Sequence, residues 1–258
     1  MIWVAEIGSM HQGNKSLAYE LIRKAKWAGA TIAKFQLGWT PEAETRYATR
    51  PAPLREDHKC SARNIDDWVD DLAKWCADMD IEFMASIWSM EGLKAARSVG
   101  MKRYKIAHQM RDGKLGRAIL SDGREVFISG ECLKKDHQQI RGILSDYRYP
   151  VYPTDKFSTI KGYNYGGWNH DIGISHMEGT TLVVDATKFV RGGGYYGFSS
   201  HRHGIADALI AVDRGARYIE KHLTLDKTLA WPRDASFALV PTEFRQMVDI
   251  GNEIARLR

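Results

Sequence analysis

Apolar, β-branched runs of five to seven residues recur along the chain, and amphipathic stretches of ten or more residues separate most of them. The runs predict strands at Ile2–Ile7, Thr31–Leu37, Ile81–Ile87, Arg103–Ala107, Glu125–Ser129, Tyr149–Thr154, Tyr195–Ser199 and Tyr218–Leu225. Between them, helices are predicted from Ser16 to Ala28, Asn64 to Met79, Met90 to Ser98, Leu115 to Leu120, Lys134 to Leu144, Ile205 to Arg214 and Pro241 to Leu257. Gly29 ends the first helix, and Glu243 puts an acid in the first turn of the last, where the helix dipole favours one. The stretch before Tyr195 is the least regular. Its segment 161–194, with Gly162, Gly166, Gly167 and the run Gly192-Gly193-Gly194, reads as a Gly-rich insertion over one end of the fold.

Eight strands alternating with helices imply parallel pairing. Eight such units in 258 residues favour a closed TIM (β/α)8 barrel, an α/β fold of about 250 residues, over an open doubly wound sheet. No Gly-x-Gly-x-x-Gly follows the first strand, which argues against a dinucleotide site. No stretch reads as a linker, so one domain over residues 1–258 is expected.

Hydrophobic residues at 44% and charged residues at 27% exclude a disordered, collagen-like or low-complexity chain. The 37 Lys and Arg against 32 Asp and Glu give +5, spread along the sequence. That excess suits a small phosphorylated or carboxylated molecule as readily as nucleic acid, and no nucleic-acid motif accompanies it. Cys60, Cys76 and Cys132 fit no zinc or redox spacing and are expected as reduced thiols. No apolar run approaches the roughly 18 residues of a membrane span, and the N-terminus lacks a signal pattern, so a cytoplasmic protein without a membrane partner is expected.

Charge inside a barrel strand is costly unless paired or used. Yet Glu6 lies near the end of strand one, Lys34 and Gln36 share a face of strand two, and Lys105 lies in strand four. Glu220 and His222 share a face of strand eight, with Lys221 on the other. Ser86, Ser129 and Ser199 end strands three, five and seven, and His201 follows directly. All fall toward the C-terminal rim, where barrel active sites lie. Lysines and hydroxyls suit a phosphate or carboxylate, and two imidazoles suit a divalent metal such as Mn²⁺ or Zn²⁺. Singly, a strand lysine can snorkel and a terminal serine is ordinary turn chemistry. The joint pattern over several strands carries the reading. His203 reads as a solvated loop histidine, and Lys221 as pairing toward the helices.

Ala5-Glu6-Ile7-Gly8, His11, Gly13, Gly29-Ala30 and Lys34-Phe35-Gln36 resemble the opening of the NeuB-type sialic acid synthase family. Lys105-Ile106-Ala107, Tyr152-Pro153-Thr154, Gly197-Phe198-Ser199-Ser200-His201 and Glu220-Lys221-His222-Leu223-Thr224-Leu225-Asp226 resemble its later motifs, in order. The resemblance implies a transferase that condenses phosphoenolpyruvate with an open-chain N-acetylated amino sugar, with water entering and phosphate leaving. It implies Mn²⁺ or Mg²⁺ on His201 and His222. Phosphoenolpyruvate would lie on Lys34 and Lys105 with Ser86, Ser129 and Ser199, and Glu6 would orient water or move a proton. Gln36, Tyr152 and Asp234 match positions facing the sugar.

The sequence departs from the family at His108, Met110, Pro150 and Ser200. Those changes weigh on the acceptor side and suggest a different acceptor, with segment 161–194 as a substitute cap. The resemblance covers the barrel domain alone. The antifreeze-like domain that typically follows, and through which family members partly dimerise, is not matched, so a homodimer stays open. Two other readings remain: a metal-dependent hydrolase or Schiff-base aldolase on the same barrel, and a non-catalytic protein that retains the anion site.

Overall fold

The computed structural model describes residues 1–39, 65–106, 114–129, 140–145, 174–178, 181–184, 196–229 and 233–258. Its centre is a closed parallel barrel of eight strands. Six are consecutive: β1 (Ile2–Glu6), β2 (Ile32–Leu37), β3 (Glu82–Ile87), β4 (Arg103–Ile106), β5 (Glu125–Ser129) and β6 (Ile140–Ser145). Outside the barrel, β7 (Ile174–Glu178) and β8 (Thr181–Val184) pair antiparallel with each other. The barrel closes through β9 (Gly197–Ser200) and β10 (Tyr218–His222), which pairs with β1. Helices α1 (Lys15–Trp27), α2 (Val69–Asp78), α3 (Met90–Ser98) and α4 (Lys114–Leu120) follow the first four strands. Helix α5 (Ala206–Asp213) follows β9, and α6 (Pro241–Arg256) follows β10.

Two expectations are corrected here. The helix expected from Lys134 to Leu144 is a strand from Ile140 onward, and that strand, rather than Tyr149–Thr154, takes the sixth barrel position. A short apolar run such as Ile140-Arg141-Gly142-Ile143-Leu144 has no decisive period, and Gly142 disfavours a helix interior. Ladders to β5 on one side and β9 on the other decide the matter. Tyr149–Thr154 lies outside the described residues, as do Cys60 and Cys132. The insertion, expected to be irregular, contains the β7–β8 ladder, whose run Thr181-Leu182-Val183-Val184 is rich in strand formers.

Helix starts follow their local sequence. The Asn14 side chain accepts the Leu17 N–H at 3.1 Å, and Ser89 Oγ accepts that of Gly92 at 3.0 Å. Pro241 opens α6, where Glu243 reaches back to the Val240 N–H at 3.0 Å. The apolar faces of these helices pack on the outward side chains of the strands, including Trp3, Ala5, Phe35, Leu37 and Phe198. Cys76 lies in this shell, and burial pushes its thiol up to about 12, so it is inert. Among the described residues no helix is long and apolar enough to cross a membrane.

The barrel interior is built in layers, as strand alternation requires. At the lower end Arg103 pairs with Glu82 at 2.7 Å and Glu125 at 3.0 Å. Above them Val4, Ile32, Met84, Phe127 and Tyr218 form a dry layer, with the Phe127 and Tyr218 rings 4.6 Å apart. Gly197 makes room for it: a Cβ there would lie 2.4 Å from the Tyr218 carbonyl and 2.5 Å from its Cβ. Gly197→Ala is therefore expected to destabilise the fold by about 1–3 kcal/mol through overpacking, measured by urea unfolding. An unchanged midpoint would show that the two strands are free to separate there.

Candidate active site

Two residues further along the same strands, the interior turns from apolar to charged. Glu6, Lys34, Ser86, Lys105, Ser199 and Glu220 all point inward and all are buried. Strand register brings them together: Glu6 lies opposite Lys34, Ser86 opposite Lys105, and Ser199 opposite Glu220. Lys34 Nζ pairs with Glu6 Oε2, donates to Ser86 Oγ at 2.9 Å and stands 3.6 Å from Glu220 Oε1. Lys105 Nζ donates to Glu220 Oε1 at 2.5 Å, and Ser199 Oγ donates to the same oxygen at 2.9 Å. The Tyr218 hydroxyl, rising from the layer below, donates to Glu220 Oε2. Gln36 Nε2 donates to Glu6 Oε1 at 3.3 Å. Gly8, at φ +48°, lies so close that a Cβ would sit 2.8 Å from Glu6 Oε1.

Two ammonium groups thus share two carboxylates away from water, and each tunes the others. Burial alone would raise the Glu220 carboxyl, but Lys105 and Lys34 outweigh it and hold it well below the usual range. Glu6 goes the other way: burial raises it, Lys34 offsets this in part, and Glu220 adds to the rise. Burial would lower Lys34, yet Glu220 and Glu6 keep it raised. Burial lowers Lys105; Glu220 opposes this, while neighbouring Lys34 adds to it. Burial and the Glu220 charge push the Tyr218 phenol up, so it stays a donor.

Above this layer stand His201, just past β9, and His222, the last residue of β10. Their rings are 5.3 Å apart, and Phe237 packs edge-on against both, at 5.7 and 5.5 Å. His222 Nε2 lies 3.8 Å from Asp234 Oδ2, and its Nδ1 is buried with no hydrogen-bond partner among the described residues. Burial, then His201 and Lys34, hold His222 well below its ordinary value, in the neutral form that ligates metals. No group of three or more His, Cys, Asp or Glu side chains that could hold a metal ion occurs among the described residues. The two imidazoles, with rings 5.3 Å apart, could supply two nitrogen ligands to a divalent cation.

The structure brings Glu6, Lys34, Gln36, Ser86, Lys105, Ser199, His201, His222 and Asp234 to one end of the barrel. Ser129 ends β5 at the same rim. Tyr152, His108, Met110 and Pro150 lie outside the described residues. Sequence reasoning placed Glu220 at the rim but assigned it no role, although it is the acceptor on which both lysines converge. It missed Tyr218 and Phe237 altogether. Tyr218, Glu220 and His222 alternate along one strand, and that spacing was the available signal for the first two.

Comparison with known proteins follows this geometry. The model of the NeuB family matches residues 21–145 and 187–257. The N,N'-diacetyllegionaminic acid synthase of Legionella pneumophila is 29% identical over 278 residues, covering 95% of this chain and 69% of that protein. The human N-acetylneuraminate-9-phosphate synthase is 26% identical over 270 residues, covering 95% and 67%. A crystal structure of N-acetylneuraminic acid synthetase from Leptospira borgpetersenii superposes with a TM-score of 0.70 at 22% identity, covering 99% of this chain and 84% of that one. That likeness supports the barrel fold.

Two outcomes are expected. Glu220→Gln leaves buried ammonium groups without their shared acceptor and should cost about 3–5 kcal/mol. Adding Lys105→Met should cost less than the two single changes summed, by about 1–3 kcal/mol in a double-mutant cycle. Additive losses would mean the pair is not coupled. The second outcome concerns His11, buried in the β1–α1 loop, where its Nδ1 accepts the Gly13 N–H at 3.1 Å. Burial lowers this imidazole from 6.5 to about 4. The unfolded chain therefore takes up a proton first as pH falls. Stability present above pH 6.5 is lost between 6.5 and 4, by about 3 kcal/mol from this group. His11→Gln should flatten that part of the urea-midpoint profile; an identical slope would refute the assignment.

Proposed function

Since the chain belongs to the NeuB family, we propose that it is a phosphoenolpyruvate-dependent synthase that joins the three-carbon unit to an open-chain sugar aldehyde and releases phosphate. The observation that carries this reading is the buried pair Lys34 and Lys105, flanked by Ser86 and Ser199, beneath the imidazoles of His201 and His222. Anion-binding cations lie deep in the barrel and electrophile-binding ligands lie above them. That order matches a reaction in which phosphoenolpyruvate lies below the aldehyde.

In the reaction, C3 of phosphoenolpyruvate forms the new bond to the aldehyde carbon, and the aldehyde oxygen becomes a hydroxyl. Water adds at C2, and the tetrahedral carbon collapses to a ketone as phosphate departs. Lys34 and Lys105 hold the phosphate and carboxylate of the substrate by charge-assisted hydrogen bonds, with Ser86 and Ser199 fixing its orientation. Glu220 keeps both ammonium groups aimed at one point. Glu6 is held through one oxygen by Lys34 and through the other by Gln36. Its raised carboxyl suits it to hand a proton to or from the water that adds at C2. His201 and His222 would hold a divalent cation, Mn²⁺ or Mg²⁺, which supplies Lewis-acid polarisation of the aldehyde. Gln36 and Asp234 stand where the sugar chain would pass, and the acceptor is an aldose or N-acetylated aldose.

The test is phosphate release from phosphoenolpyruvate with Mn²⁺ and a pooled set of aldoses and N-acetylated sugars, with product masses read from the same tube. Release together with a mass equal to acceptor plus pyruvate supports the synthase and identifies the acceptor. Lys105→Met should then lower kcat/KM by about 10²–10³-fold. Phosphoenolpyruvate bound without turnover on any acceptor would favour the binding-protein reading, and trapping by borohydride would favour an aldolase.

A further inference from the structure

His201 is not carried within a strand; it lies one residue beyond β9, in a stretch that ladder hydrogen bonds do not fix. Lys221 lies between Glu220 and His222 on β10, with its side chain on the opposite face of the strand from theirs. It is wholly buried, at 0% exposure. Its ammonium donates to Ser200 Oγ at 2.6 Å and to the Arg202 carbonyl at 2.5 Å. Those are the two residues on either side of His201. Ser200 Oγ passes the interaction on, donating to Asp207 Oδ2 at 2.6 Å, while Asp207 Oδ1 lies 3.8 Å from the ammonium. Asp207 is itself buried in the first turn of α5, where Oδ1 also accepts the Ala208 N–H at 2.8 Å.

Burying an ammonium group costs several kcal/mol unless strong bonds compensate. A leucine or methionine would fill the same shell space at no such cost. Beside the Asp207 carboxylate, the ammonium bonds two oxygens that bracket one imidazole-bearing residue. We infer that Lys221 is a positioning residue that, with Ser200 and Asp207, clamps residues 200 and 202 and thereby sets His201 against His222. The inference rests on the proposed role of that imidazole pair as cation ligands, and goes beyond it by assigning the orientation of the pair to three side chains outside the barrel interior. The hydroxyl of Ser200 fits this arrangement: the acid is supplied by Asp207 in the first turn of α5, and the hydroxyl relays it.

The experiment compares wild type, Lys221→Met, Ser200→Ala and the exchange Ser200→Asp/Asp207→Asn, each checked for folding by urea titration. Two readouts are taken: Mn²⁺ affinity by electron paramagnetic resonance, and the rate of His201 modification by diethyl pyrocarbonate, followed by peptide mass. Ser200→Ala removes one arm of the clamp with little steric change and keeps the test open if Lys221→Met does not fold. Expected results are Mn²⁺ binding weakened at least tenfold in Lys221→Met and several-fold in Ser200→Ala, with His201 modified several-fold faster in both. The exchange variant, which moves the acid next to the ammonium, should restore both readouts toward wild type. A folded Ser200→Ala with wild-type modification rate overturns the inference, whatever its metal affinity. If wild type itself binds no Mn²⁺, the cation role fails and the clamp is judged on the modification rates alone.

Discussion

The upper half of this barrel depends on one carboxylate. Glu220 accepts from Lys105, Ser199 and Tyr218 and lies within ion-pair distance of Lys34. Remove its charge and the two ammonium groups face each other across a dry interior. Retain it, and one shared acceptor holds both ammonium groups in place. The residues of the layer, two ammonium groups with two carboxylates, are neutral together. In the proposed reaction an arriving anion would compete with Glu6 for Lys34, and Glu6 is the carboxylate whose proton affinity is raised.

Much of this was legible in the sequence. Strand and helix alternation gave the barrel, with several element bounds within a residue or two of those observed, as for α3 and β5. Lys34, Lys105, His201 and His222 were identifiable because charge at the end of a buried strand has few structural uses. What escaped was of two kinds. The strand Ile140–Ser145 has a short apolar run without a decisive period, and its identity comes from partners distant in sequence. Tyr218 and Phe237 have no polar pattern that singles them out; only packing shows that one hydroxyl meets Glu220 and that one ring rests on two imidazoles. Glu220 was visible on the right face, but sequence spacing cannot tell a hub from a neighbour.

Division of labour within β10 is the simplest expression of this economy. Five successive residues serve three different regions. Tyr218 packs the dry layer while bonding upward, Ile219 packs against the helices, and Glu220 holds the lysines. Lys221 braces the turn after β9 from outside, and His222 faces the rim. A strand that carries both Glu220 and half of the imidazole pair keeps them at a fixed spacing, because a parallel strand buried on both sides has little freedom to shift.

The apolar layer of Val4, Ile32, Met84, Phe127 and Tyr218, with the Glu82–Arg103–Glu125 ion cluster beneath it, makes the barrel a cup rather than a tunnel. A cup has one mouth, so its contents stack. In the proposed reaction, a molecule seated at the lysines would enter before one seated at the histidines and leave after it. The order of traffic in that reaction would then be set at the floor of the barrel, by residues that touch neither reactant.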